Sequence, residues 1–349
     1  MASGQALLTI IFKISDREIR IGEIWTAVYR VFMHATIYPA GPEAYKYAAD
    51  ILSGGGLVAL PTETVYGLAG DAKNNAAVKR IYTAKGRPVN NPLIAHILWP
   101  EDVVIYADIP PLARRLIAHF WPGPLTLVLP RKASALSSVA GAGLGTIAIR
   151  CPQTSWTQAL RNYGFNGPVF MPSANRSGHV SPTTAIHVAD DLGDRVDLII
   201  DGGACPGGIE STVLKIEGDR GILLRAGIVP AEAFAPFVSD ISLPDKHSPL
   251  TAPGMMKSHY APRAKLRLNA VTKNKGEAYL AFGMCDFADA NLSENRDLAE
   301  AAHKLYALLR SLDRPDVEII AVAPIPYGGL GDAVNDRLTR AAVDRGQSL

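Results

Sequence analysis

Lys85-Gly86-Arg87-Pro88 sets two cations beside a backbone break, and further along Pro172-Ser173-Ala174-Asn175 sets a hydroxyl and a carboxamide just after an apolar strand. Side chains of these types can hold a polyanion: the cations neutralise it, and the neutral donors direct its oxygens. No GxxxxGK[ST] or GxGxxG pattern is present, so no glycine loop supplies a phosphate cradle. Between Ala72 and Asn90 there are five cations (Lys73, Lys79, Arg80, Lys85, Arg87) and no acid. A plainer reading of Lys85-Gly86-Arg87-Pro88 is a helix stop, with glycine as left-handed C-cap, lysine on the helix dipole and proline ending the run.

Further candidates lie at the ends of apolar runs. Thr146-Ile147-Ala148-Ile149-Arg150 and Ile222-Leu223-Leu224-Arg225 each close a strand with an arginine. A guanidinium so placed must find an anion, either a ligand's carboxylate or phosphate or an internal salt bridge. Pro61-Thr62-Glu63-Thr64-Val65-Tyr66-Gly67-Leu68 is a polar interruption after a buried strand, where ligands of α/β folds gather. Its hydroxyls suit a small polar substrate or a turn bonded to its own backbone. Gly207-Gly208-Ile209-Glu210-Ser211-Thr212 leads into a strand with hydroxyls, and its glycines let backbone amides approach a ligand. His96 falls inside a strand, where a lone histidine is usually a satisfied core residue.

The elements that must position these groups are legible in outline. At 349 residues the chain has room for two domains, at ~100–200 residues each. Hydrophobic content of 48% and charged content of 19% describe a soluble globular protein with a substantial core. A net charge of +2 excludes a nucleic-acid coat or membrane-surface protein as the simplest reading. Three scattered cysteines fit free thiols in a reducing, cytoplasmic compartment, the histidines lack zinc-motif spacing, and no run reaches membrane-span length. Residues 1–32 read as neither signal nor transit peptide and are expected to be an appendage.

Short apolar runs predict strands at Leu57–Leu60, Leu93–Ile97, Leu125–Leu129, Thr146–Ile149, Val169–Met171, Leu198–Ile200 and Thr212–Ile216. Helices are predicted over Glu43–Leu52, from Asn75 to the Lys85 stop, over Pro111–Phe120 and over Pro182–Leu192. A proline-rich segment follows, then strands near Leu266–Leu268, Ala278–Phe282 and Val317–Val322. Amphipathic helices are expected at Leu298–Leu312 and Asn335–Val343. The expected division is an N-terminal extension (1–40), a catalytic domain (41–229), a linker or lid (230–264) and a small C-terminal domain (265–349).

From about Tyr45 to Ala342 the chain resembles the YrdC-type threonylcarbamoyl-AMP synthase family in its two-domain form. The resemblance rests on Pro61 to Leu68, Lys85-Gly86-Arg87-Pro88 with Asn91-Pro92-Leu93, Pro172 to Gly178, and Ser211-Thr212-Val213. It continues in Ala252-Pro253-Gly254-Met255, His259-Tyr260-Ala261-Pro262 and Gly331-Asp332-Ala333-Val334-Asn335-Asp336-Arg337-Leu338. Met256-Lys257-Ser258 departs from the commoner lysine-tyrosine-basic run. The implied fold is α/β (α+β): a twisted mixed sheet with helices around a cationic cavity, plus a small Rossmann-like C-terminal α/β domain.

The resemblance implies a nucleotidyltransferase that condenses L-threonine, bicarbonate and ATP to threonylcarbamoyl-adenylate and pyrophosphate. A downstream threonylcarbamoyl transferase complex would then modify tRNA beside the anticodon. By the same resemblance Thr64, His96, Arg150, Ser211 and the backbone near Met171 contact L-threonine, with Arg150 on its carboxylate. Arg87, Asn91, Thr146, Ser173, Ser181, Arg225 and Tyr260 contact ATP, and Lys85, Arg87, Ser173 and Asn175 form the catalytic signature. Mg²⁺ is expected with the triphosphate, held mainly by phosphate and water. An RNA-binding module using the same cavity is the alternative, but the low net charge argues against stable direct tRNA binding.

Overall fold

The computed structural model describes residues 36–133, 136–141, 143–238, 240–244 and 259–343. The expected appendage over 1–32, most of the proline-rich linker and Met256-Lys257-Ser258 lie outside the described residues.

The larger part of the chain builds strands β1 Ile37–Pro39, β2 Val58–Leu60, β3 Gly67–Asp71, β4 Ile94–His96, β5 Leu125–Pro130 and β6 Thr146–Arg150. It continues with β7 Val169–Phe170, β8 Leu198–Asp201, β9 Thr212–Glu217, β10 Arg220–Arg225 and β11 Ile241–Ser242. They form one mixed sheet in the order β1-β8-β2-β3-β7-β4-β6-β5-β9-β10-β11. Its helices are α1 Pro42–Ser53, α2 Asn75–Lys85, α3 Val103–Tyr106, α4 Pro111–Phe120, α5 Ser155–Asn162 and α6 Ala185–Leu192. The smaller part is a parallel sheet of β12 Lys265–Arg267, β13 Glu277–Ala281, β14 Ala290–Asn291 and β15 Ile319–Val322, in the order β12-β15-β13-β14. Helices α7 Leu298–Leu312 and α8 Leu330–Ala342 pack against each other beside it.

α2 shows how local chemistry sets the frame. Asn74 Oδ1 accepts from the Ala76 and Ala77 amides, a cap worth about 1 kcal/mol. Ala77, Val78 and Ile81 face the core, and Gly86 ends the helix at φ 59, the left-handed region that glycine enters without strain. The helix-stop reading of Gly86 therefore holds. Lys85 departs from it: the side chain is buried rather than spread over the last turn.

Several elements escape the sequence pattern. β3 contains Gly67 and Gly70 and reads as a turn, yet its first four residues are buried, and Met171 fills the space where a Gly67 side chain would stand. α5 is short and polar on one face, anchored by buried Trp156 and Leu160. α8 starts at Leu330 rather than Asn335, because Gly331 lies inside its first turn and masks the start. The helix expected from Pro182 begins at Ala185, where Thr184 caps by accepting from the His187 amide.

The two parts share a core. Val65, Val180 and Ile209 from loops of the larger part pack in one cluster with Tyr260 and the α7 side chains Ala301, Ala302, Leu305 and Tyr306. A side chain on Gly208 would collide with the α7 backbone at Ala302 and His303, so glycine permits this close approach. His303 Nδ1 lies 2.9 Å from the Pro206 carbonyl, and Arg310 donates to Val180 O and pairs with Asp191 at 2.7 Å. Among the described residues no helix is long and apolar enough to cross a membrane.

Candidate active site

Strand register brings the candidates together. In the parallel pair β4–β6, His96 is the partner of Arg150, so both stand at the same end of the sheet. Thr64 and Val65 precede β3, while Met171, Pro172 and Ser173 follow β7, which runs antiparallel to β3. An isolated bridge joins Gly67 to Ser173. Ser211 precedes β9, and Arg225 closes β10, which pairs antiparallel to it. These ends surround a cavity of about 50 Å³ that Arg87, Glu210, His259 and Tyr260 complete.

The cations are held by neutral oxygens, with one exception. Arg225 donates through Nε and Nη2 to the Ser211 carbonyl at 3.1 and 2.9 Å, and through Nη2 to Ser211 Oγ at 3.1 Å. The hydroxyls of Ser211 and Thr126 are 2.8 Å apart. Arg87 donates to the Asn91 carbonyl, Asn91 Oδ1 and the Pro92 carbonyl, which folds the turn expected there onto its own guanidinium. Burial lowers Arg87 to about 10, still well above neutrality. Arg150 is the exception: Nη2 lies 2.7 Å from Glu63 Oε1. Its N–H groups are not aligned on that oxygen, so Nη2 is buried without a hydrogen-bond partner. Nε donates to Gly123 O and Nη1 to Thr64 Oγ1.

His96 is neutral at physiological pH, because burial and then the charges of Arg150 and Arg225 push it well below the ordinary imidazole value. Glu210 is ionised. Burial alone would raise it, but Arg337, Arg225 and the Ser181 hydroxyl outweigh burial and hold it at about 2. Burial also takes His259 down to about 3. Its Nδ1 and the Tyr260 hydroxyl are buried without a hydrogen-bond partner among the described residues.

Of the residues expected from sequence, Thr64, Arg87, His96, Arg150, Met171, Ser173, Ser211, Arg225 and Tyr260 line this cavity. Lys85, Asn91, Thr146, Asn175 and Ser181 do not. Lys85 Nζ donates to the carbonyls of Ser173 and Asn175, both at 2.5 Å, and to Asn175 Oδ1 at 3.4 Å. Burial and then the Arg87 charge lower its pKa well below the ordinary lysine value, and the nitrogen's donors are spent on these three oxygens. Asn175 Nδ2 donates to the carbonyls of Arg176 and His179. Lys85 and Asn175, expected among the catalytic residues, support the Ser173 loop in this structure. Asn91 holds Arg87, and Ser181 donates to Glu210 Oε1 at 2.6 Å. Thr146 is at the far end of β6, ~13 Å along the strand from Arg150.

Sequence reasoning passed over Glu210 and His259 as wall residues, although both lie in motifs it quoted. Among the described residues no group of three or more His, Cys, Asp or Glu side chains is arranged to hold a metal ion. The oxygens of Glu210, the cavity's own carboxylate, are taken by Ser181, Tyr306 and Arg337.

Arginines and a neutral imidazole at strand ends, closed over by a segment from beyond the sheet, make an α/β enzyme site for small anionic substrates. The comparisons with known proteins give the family. Residues 50–227 match the Sua5/YciO/YrdC model, described as telomere recombination, and residues 224–343 match the threonylcarbamoyl-AMP synthase C-terminal domain. The threonylcarbamoyl-AMP synthase of Bacillus subtilis is 40% identical over 330 residues, spanning 85% of this chain and 92% of the relative. That of Pyrococcus abyssi is 39% identical over 319 residues, spanning 85% and 93%. The crystal structure of P. abyssi Sua5 complexed with L-threonine superposes with a TM-score of 0.80 at 36% identity, covering 88% of this chain and 96% of that one. The chain belongs to the threonylcarbamoyl-AMP synthase family in its two-domain form.

Proposed function

We infer that this protein condenses L-threonine, bicarbonate and ATP to L-threonylcarbamoyladenylate and pyrophosphate. The observation that carries the reading is Arg150. It is a buried guanidinium whose Nη2 is ion-paired with Glu63 at 2.7 Å but makes no aligned hydrogen bond among the described residues, beside a neutral histidine and a threonine hydroxyl, in a chain whose relatives bear this name. A carboxylate satisfies that nitrogen with charge-assisted bonds. L-threonine thus sits with its carboxylate on Arg150 and Thr64, near His96, Ser211 and the backbone at Met171.

The threonine amine and bicarbonate give a carbamate, with loss of water. One carbamate oxygen attacks the α-phosphorus of ATP; the new O–P bond forms as the bond to the bridging oxygen breaks, and pyrophosphate leaves with that electron pair. Arg87, Arg225 and the Ser173 loop face the charge that builds up, and fixed cations in an enclosed site stabilise it without reorganisation. Lys85 and Asn175 keep Ser173 in place for this. Thr146 and Asn91 meet outlying parts of the nucleotide or its binding turn, and Ser181 acts through Glu210. Mg²⁺ enters with the nucleotide as MgATP. Tyr260 closes the site and keeps water from the labile carbamate. The adenylate is then consumed by a transferase complex that modifies tRNA.

Purified protein is expected to release pyrophosphate from ATP only with both L-threonine and bicarbonate present. Release indifferent to threonine would overturn the reading. An RNA-binding role predicts instead tRNA affinity that falls steeply with salt.

A further inference from the structure

The segment Gly331 to Leu338 stands out in the sequence, yet nothing in the reaction above uses it. The structure gives one of its residues a place at the active site. Glu210 lines the cavity from the loop before β9, but two of its three side-chain partners come from the C-terminal domain. Tyr306 of α7 donates to Oε2 at 2.9 Å, and Arg337 of α8 donates to the same oxygen through Nε at 2.8 Å. Arg337 has no solvent exposure. Nη1 is fixed by Asp336 at 2.7 Å, and the guanidinium carbon lies 5.0 Å from the centre of the Tyr260 ring. Tyr306 stacks on that ring at 5.8 Å.

Tyr260 needs such support. Its φ of 63 is unfavourable for a residue with a side chain, so surrounding contacts must hold it there. Glu210 needs it for a different reason. Its charge is compensated by Arg337 from behind and by Arg225 within the cavity. Without Arg337, Glu210 would turn its full field on Arg225, a cation that an anionic substrate also requires.

We propose that Arg337 is a positioning residue through which the C-terminal domain completes the active site. It seats Tyr260 over the cavity and neutralises Glu210, so that Arg225 stays available to the nucleotide. The kinetic side of this proposal rests on the synthase reading above; the seating of Tyr260 does not.

The test uses the full-length chain and four variants: Arg337→Met, Arg337→Lys, Glu210→Gln and the Glu210→Gln/Arg337→Met double. Arg337→Met is expected to raise the KM for ATP about tenfold with a smaller change in kcat. The double variant is expected to recover most of that loss, because an uncharged carboxamide in place of the Glu210 carboxylate no longer competes for Arg225. Hydrogen exchange without substrates reads the other half. The amides of His259 and Ala261, bonded to the carbonyls of Arg340 and Gly178, are expected to exchange faster in Arg337→Met. Arg337→Lys keeps the charge but not the flat guanidinium, so it is expected to speed that exchange while keeping the KM for ATP near wild type.

A merely structural role would lower Tm without moving KM, and the double variant would be worse than either single one. Either result overturns the proposal, as does unchanged exchange at His259 and Ala261 in both Arg337 variants. Should Arg337→Met fail to fold, Arg337→Lys carries the exchange readout and Glu210→Gln the kinetic one: without the carboxylate that competes for Arg225, its KM for ATP is expected at or below wild type, and a raised KM overturns the proposal. If the wild type releases no threonine-dependent pyrophosphate, the synthase reading fails while the exchange experiment still judges the seating of Tyr260.

Discussion

Lys85 Nζ donates to the main-chain carbonyl of Ser173 at 2.5 Å, so the two motifs that stand out in the sequence are joined by a single buried ammonium. The lysine at the end of α2 holds the loop after β7, and the left-handed turn at Gly86 releases the chain toward Arg87.

Lys85→Met is therefore expected to act through the Ser173 loop. It strands the carbonyls of Ser173 and Asn175 in a buried site, a loss of about 2–4 kcal/mol. Thermal unfolding should show the lower Tm, and activity should fall with the KM for ATP rising. A Lys85→Met enzyme with a wild-type KM for ATP would show that the loop does not depend on this lysine.

Arg150→Ala removes the partner assigned to the threonine carboxylate. The KM for L-threonine should rise by about two orders of magnitude, as expected for a desolvated charge pair worth roughly 2–3 kcal/mol, while the KM for ATP changes little. Steady-state kinetics with each substrate varied in turn checks this, and an unchanged threonine KM refutes the role.

Gly86→Ala separates backbone from chemistry. The space around Gly86 is open, so the substitution costs only the strain of placing a side chain at φ 59, about 1 kcal/mol. Denaturant unfolding should show this loss, and Gly86→Asn should lose less, since asparagine tolerates the left-handed region.

Stability is expected to fall with acid in two stages. His259 has an ordinary value of 6.5 and sits at about 3 when folded, so below pH 6.5 the unfolded chain takes up a proton that the folded one refuses. Its contribution is complete above pH 6.5 and is lost as pH falls toward 3, at ~1.4 kcal/mol per pH unit. Buried His96 acts in the same direction. Glu210, at about 2 against an ordinary 4.5, adds stability that is complete above pH 4.5 and lost as pH falls from there toward 2. The groups that set the response of His259 are Glu210, which favours its protonation, and Arg87, Lys85 and Arg225, which oppose it. Tm measured against pH should slope down below 6.5, and His259→Asn should flatten the limb between 6.5 and 4.5. An unaltered limb would rule His259 out as its source.

Arginines that end apolar runs were the readable part of the site. Arg150 and Arg225 could be picked out because such a residue must find an anion, and both line the cavity. The burial of Lys85 was hidden, since a last-turn lysine next to a glycine cap belongs by local rules in solvent. β3 was hidden because strands are recognised by their side chains, and Gly67 and Gly70 have none to show. Glu210 lay in a quoted motif but carried no local mark of its importance. Its partners Tyr306 and Arg337 are 96 and 127 residues away, and no short-range pattern connects them.

The cavity of about 50 Å³ is far below the ~300–1,000 Å³ of a small-molecule site, and Tyr260 in its wall is buried. Entry of a nucleotide then requires the wall that carries Tyr260 to move. Association with ATP should therefore lose its dependence on nucleotide concentration once the cap opens more slowly than encounters occur. In rapid mixing the observed rate should climb and then level off, and the plateau is a direct clock for Tyr260 leaving its seat.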